Sequence, residues 1–178
     1  MRLAILIIVA GLCPAGAQEI KLPPSVERLA DKAEESVSVT LDSNMLRLLA
    51  RFDDGSDADT RKMLSGVQSI FVRSFQFAFD GEYQAADVAA VRTQFQAAPW
   101  ARIVGVRSKG IDGDVDVFFK DGGNGKLGGI VIISAEPREL TIVSITGSIE
   151  PRQLADLGGH FHIPRLEMLA DSRRRDDK

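Results

Sequence analysis

Between Trp100 and Ile149 the chain passes through four apolar runs, 103–107, 115–120, 129–135 and 140–146. The joints between them hold what tight reversals need. Gly110, Asp112 and Gly113 fill the first, Gly122, Gly123, Asn124 and Gly125 the second, and Pro137 takes the second position of a turn over 136–139. Short reversals join only antiparallel neighbours, because a parallel pair needs a crossover of a dozen residues or more. This half of the chain therefore reads as a four-stranded meander. Ile130 to Ile133 are apolar at successive positions, as are Leu140, Ile142 and Val143 around a single threonine. Strands of that kind are covered on both faces, by a third layer or by a dimer contact.

Upstream the periods alternate. Val26, Leu29, Ala30 and Ala33 follow Pro23 and Pro24 at helical spacing, and Val37, Val39 and Leu41 then alternate with Ser36, Ser38 and Thr40 as a strand with one wet face. Asp42 or Ser43 caps a helix through Phe52. A turn at 53–56 and a short helix at 58–64 lead to a second strand, with Phe71, Arg73, Phe75, Phe77 and Phe79 on one side. The spacing predicts a long helix over 84–98, closed by Pro99, and a last short helix over 151–157. Helices grouped between runs of strands define an α+β fold built on an antiparallel sheet packed with helices. The organisation expected is a leader over 1–17, one α+β domain over 18–164 and a charged tail over 165–178.

The leader follows from Arg2, the apolar run from Leu3 to Leu12, and Ala15-Gly16-Ala17, which together have the layout of a secretory signal peptide cleaved after Ala17. Its apolar run is half of what a membrane span requires, and no longer run follows, so no transmembrane segment is expected in the mature chain. A periplasmic or secreted protein works where nucleotide triphosphates and reduced nicotinamides are scarce. Cys13 is the only cysteine and lies in the leader, which leaves no disulfide, thiol nucleophile or thiolate metal site. The formal net charge of −3 and the lone tryptophan disfavour nucleic acid as a partner, since its binding rests on neutralising phosphates.

Motifs for catalysis are not assembled. The Gly-rich run before Lys126 has Lys120 and Leu127 where a phosphate loop requires glycine and Ser or Thr, so it reads as a hairpin turn. His160 and His162 supply two metal ligands where three or four are needed. Glu136 and Glu139 flank a turn, where water keeps their acidity ordinary. Leu64-Ser65-Gly66 lacks the preceding glycine of a nucleophile elbow. No catalytic residue, cofactor or metal is therefore assigned. Arg73, Arg102 and Arg107 stand out because a buried arginine needs a carboxylate, which Asp114, Asp116 or Glu136 can supply. The alternative is that these arginines hold an anionic ligand in a groove.

Several strings go beyond periodicity. GVQSIFVRSFQF at 66–77, DGEY at 80–83, WARIVGVR at 100–107, GGIVIISAEPRELTIV at 128–143 and ITGSI at 145–149 resemble the DUF4252 family of exported bacterial proteins, a family of unknown function. The resemblance covers nearly all of the chain after the leader. It implies an exported bacterial domain, transfers no catalytic residue and hints at envelope signalling. Many relatives look like lipoproteins, but Leu12 stands before Cys13 where a lipidation signal needs a small residue.

The function expected is a non-enzymatic binding or interaction domain of the bacterial envelope, with an envelope protein or component as partner. Its candidate surface comprises Arg73, Phe75, Phe77, Phe95, Trp100, Arg102 and Arg107. The alternative is a small-ligand or lipid carrier with an apolar pocket between the long helix and the meander, lined by Phe75, Phe77, Phe95 and Trp100. A third reading is a hydrolase whose residues only the fold brings together.

Overall fold

Strand alternation decides the layering. In the computed structural model, which describes residues 20–52, 66–108 and 113–149, six strands form one sheet: β1 (Glu35–Asp42), β2 (Val67–Gln76), β3 (Trp100–Val106), β4 (Asp114–Asp121), β5 (Leu127–Glu136) and β6 (Glu139–Ile149). Their order is β1-β2-β6-β5-β4-β3, and every neighbouring pair is antiparallel. Phe75 stands opposite Leu140, Phe118 opposite Val131 and Asp116 opposite Ile133, so these residues share one face. Their neighbours Val117, Ile130, Ile132 and Ile145 point to the other.

The first face carries the main core. A helical turn, α1 (Pro24–Glu27), continues as a 3-10 turn at Arg28–Asp31, and α2 (Ser43–Phe52) and α3 (Ala85–Thr93) follow in chain order. Val26 and Leu29 from the first turns, with Val88 and Val91 from α3, cluster with Phe75, Phe77, Phe118, Val131, Ile133, Leu140 and Ile142. On the opposite face Val117, Ile130 and Ile149 are buried, with Val104, Val115, Phe119, Leu127, Ile132 and Ile145 packed partly buried around them. The doubly apolar strand β5 thus buries Val131 and Ile133 fully on one side and Ile130 on the other.

Local chemistry sets the element ends. Pro24 occupies the first turn of α1, where a missing N–H costs nothing. Asp42 Oδ1 accepts from the N–H groups of Asn44 and Met45, both at 2.8 Å, and caps α2. The Gln84 N–H donates to Asp87 Oδ2 at 3.0 Å at the start of α3. Three sequence expectations are corrected here. The helix expected over 84–98 stops at Thr93, and 94–99 is a turn leading through a cis Ala98–Pro99 bond into β3. The expected first helix splits into α1 and the 3-10 turn. Strand β2 also ends at Gln76, so Phe79 leaves the aromatic row and stands 70% exposed. The leader, the 58–64 helix, the 151–157 helix, His160, His162 and the tail lie outside the described residues.

Candidate binding surface

Strand alternation places Asp114, Asp116 and Phe118 on the core face of β4, which turns two carboxylates toward α3 and β3. Asp116 is fully buried. A buried carboxylate demands compensation, and three arginines from three places in the sequence supply it. Arg92, on α3, lays its Nε against Asp116 Oδ2 and donates from Nη2 to Asp114 Oδ2 at 3.3 Å. Arg107, just past β3, donates from Nη2 to Asp116 Oδ1 at 2.8 Å and from Nη1 to the Val106 carbonyl at 2.7 Å. Its Nε is 3.6 Å from Asp114 Oδ2. Arg102, on β3, holds Nη1 3.5 Å from Asp116 Oδ1.

Among these five side chains three guanidinium groups outnumber two carboxylates. The arginines divide the work by depth. Arg92 is 16% exposed in its side chain, whereas Arg107 is 44% and Arg102 57% exposed. The hydrogen bond to Asp116 raises the Arg107 pKa further, with smaller help from the charges of Asp116 and Asp114, so its charge is permanent. Gly105 leaves room for Arg102, whose guanidinium carbon lies 3.4 Å from where a Cβ at Gly105 would stand. The arrangement presents planar donor groups, fixed from behind, to whatever approaches β3. Such forks pair with carboxylate or phosphate oxygens two at a time.

Beside this patch the sequence-chosen aromatics form core. Phe95 meets Trp100 edge to face at 5.2 Å and Phe118 at 5.6 Å. Trp100 reaches across Lys120 to Gly129, where a Cβ would stand 3.0 Å from the indole. Phe75, Phe77, Phe95 and Trp100 are all buried. Of the seven residues singled out in the sequence, the fold brings Arg102 and Arg107 together on Asp116 and buries these four in the main core. Arg73 stands apart near the β1 edge. Its guanidinium lies 4.6 Å from the centre of the Phe71 ring and donates to the Val72 carbonyl at 3.0 Å. There it lines an open groove of about 380 Å³ with Ile20, Lys21, Leu22, Glu27, Thr40 and Phe71. Arg92 was not singled out in the sequence, where it reads as one more charge on a helix. Two acids alternating with valines on a core-facing strand were the signal that a buried cation was owed. Among the described residues no group of three or more His, Cys, Asp or Glu side chains is placed to hold a metal.

Tyr83 closes the other end of the cluster. Its ring packs on Phe77 at 5.4 Å and its hydroxyl donates to the Glu136 carbonyl. Burial first, then the charges of Glu136 and Asp114, push its pKa up to about 12. The folded value exceeds the unfolded value of about 10, so the stabilisation from the neutral phenol is complete below about pH 10 and fades as pH rises toward 12. Tyr83 is the only tyrosine. An absorbance titration should therefore give a native midpoint near 12 and a midpoint near 10 in denaturant. Coincident midpoints would contradict the buried hydroxyl.

An antiparallel sheet with two apolar faces, a helix-packed core on one of them and a fixed basic patch at one edge defines an α+β protein. The model of the family described as domain of unknown function (DUF4252) matches residues 31–157. The chain belongs to that family. Comparison with curated proteins and with solved structures returned no match. Among the described residues no helix is long and apolar enough to cross a membrane.

Proposed function

We propose that this is an exported, non-enzymatic binding domain of the bacterial envelope that recognises an acidic group on an envelope partner through Arg102 and Arg107. The observation that carries the reading is the arginine cluster, in which Asp116 fixes both guanidinium groups from behind while each stays about half exposed. Preorganised donors lose little freedom on binding, which is what a recognition site needs. The leader-like layout of residues 1–17 supports export, and the meander from β3 to β6 supplies a rigid base for the patch. A photo-crosslinking amino acid at Ile103, 57% exposed between the arginines, tests the proposal in the producing cell. A discrete adduct is expected at position 103. It should fall at least several-fold when Arg102 is changed to Glu and stay unchanged with Arg138→Glu, which alters a distant surface cation paired to Asp80. An adduct insensitive to Arg102 would overturn the reading.

The groove at Arg73 supports a second reading, a carrier of a small polar, anionic ligand, with the Glu27 carboxylate also on the wall. Its volume falls within the range of small-molecule sites, and Arg73 and Lys21 stand at its wall. Native mass spectrometry separates the two, since a carrier arrives with extra mass that denaturation removes.

A further inference from the structure

A six-stranded open sheet has two edges, and this one treats them differently. The β3 edge is defended: its pairing with β4 slips between Arg102 and Val104, and arginines flank it. Bulges and charges of that sort keep an edge from pairing with another strand. The β1 edge has neither device. Its pairing with β2 runs unbroken from Glu35 to Asp42, with no proline and no charge between those two end residues. Exposed apolar side chains also gather there. Among the described residues six large apolar side chains are exposed, and four of them, Val37, Met45, Leu48 and Leu49, lie on β1 and on α2 directly after it.

We propose that β1 pairs antiparallel with β1 of a second copy of this chain about a two-fold axis through Val39, joining two sheets into one of twelve strands. The register follows from alternation. Opposed residues in an antiparallel pair share a face, so a two-fold axis must pass through a residue and not between two. Centring on Val39 opposes Val37 to Leu41, Val39 to Val39 and Ser38 to Thr40, matching every apolar residue with an apolar one. Centring on Ser38 sets Leu41 against Glu35, and centring on Thr40 sets Val37 against Ser43. Only the Val39 register matches all three, and it opposes no like charges. The second, apolar face of each sheet then continues into that of its twin. The pairing is isologous, as a closed dimer requires, and does not depend on the arginine patch.

The test uses the chain produced with its own leader, in a Cys13→Ser background. Sedimentation equilibrium should give twice the monomer mass. Mild oxidation should convert Val39→Cys largely to a covalent dimer, and Val37→Cys several-fold less. Val37→Lys, at a site 40% exposed, should weaken association at least tenfold while leaving the circular-dichroism melt at low concentration in place. A monomer at all concentrations would overturn the proposal. So would a dimer that Val37→Lys leaves intact, or one in which Val37→Cys crosslinks as well as Val39→Cys.

Discussion

Changing Phe75 to alanine is expected to destabilise the protein by about 3–5 kcal/mol, the usual cost of removing a buried aromatic ring and leaving a cavity. The ring is 1% exposed, faces Leu140 across the β2–β6 pair and sits under the helical layer. Neighbours on a packed sheet relax little, so the cavity stays open. Phe79, four residues on, is the control. It is 70% exposed, and its alanine variant should stay within about 0.5 kcal/mol of the parent. Urea denaturation of the two variants reads the difference. Equal losses would mean that Phe79 is packed into the core as Phe75 and Phe77 are.

Arg92→Met should be comparably severe, at about 3 kcal/mol, because Asp116 has no contact with solvent and loses its most buried counter-ion. Arg102 and Arg107 remain, but both stand in water for about half their surface, so solvent screens their share. Adding Asp116→Leu to Arg92→Met should recover most of the loss, since a buried pair replaced by apolar groups often costs nothing net. The double variant thus separates a charge left stranded from a helix spoiled by substitution. If it were no more stable than Arg92→Met alone, the loss would lie in α3 and not in the carboxylate.

The elements were largely legible in the sequence. Alternation placed five of the six strands within a few residues of their bounds, and the turn residues placed their joints. In β2 it put Phe71, Arg73 and Phe75 correctly on one side but carried the strand through Phe79. The same pattern extended α3 too far, because Phe95 continues the helical spacing although the chain has already turned to bring its ring onto Trp100. Pro99 marked a stop without saying how many residues before it had left the helix. Strand order was not legible. Nothing local in Ser69 or Thr146 announces that their hydroxyl groups meet at 2.7 Å across 77 residues of chain. The candidate site was half visible. Asp114 and Asp116 were named as partners for the arginines at the ends of β3, but the buried cation came from a helix whose polar face hid it.

The position of β6 bears on how the molecule comes into being. It is the last of the described strands, yet it lies between β2 and β5 and joins the β1–β2 pair to the other three strands. A chain emerging N-terminus first can pair β3, β4 and β5 with one another, and β1 with β2, but these pieces share no hydrogen-bonded edge until β6 is out. Contacts so distant in sequence form slowly, and the waiting pieces expose open strand edges meanwhile. A product truncated before Glu139 would therefore hold two fragments of sheet without the strand that joins them, so the sheet closes only once nearly all of the described chain is present.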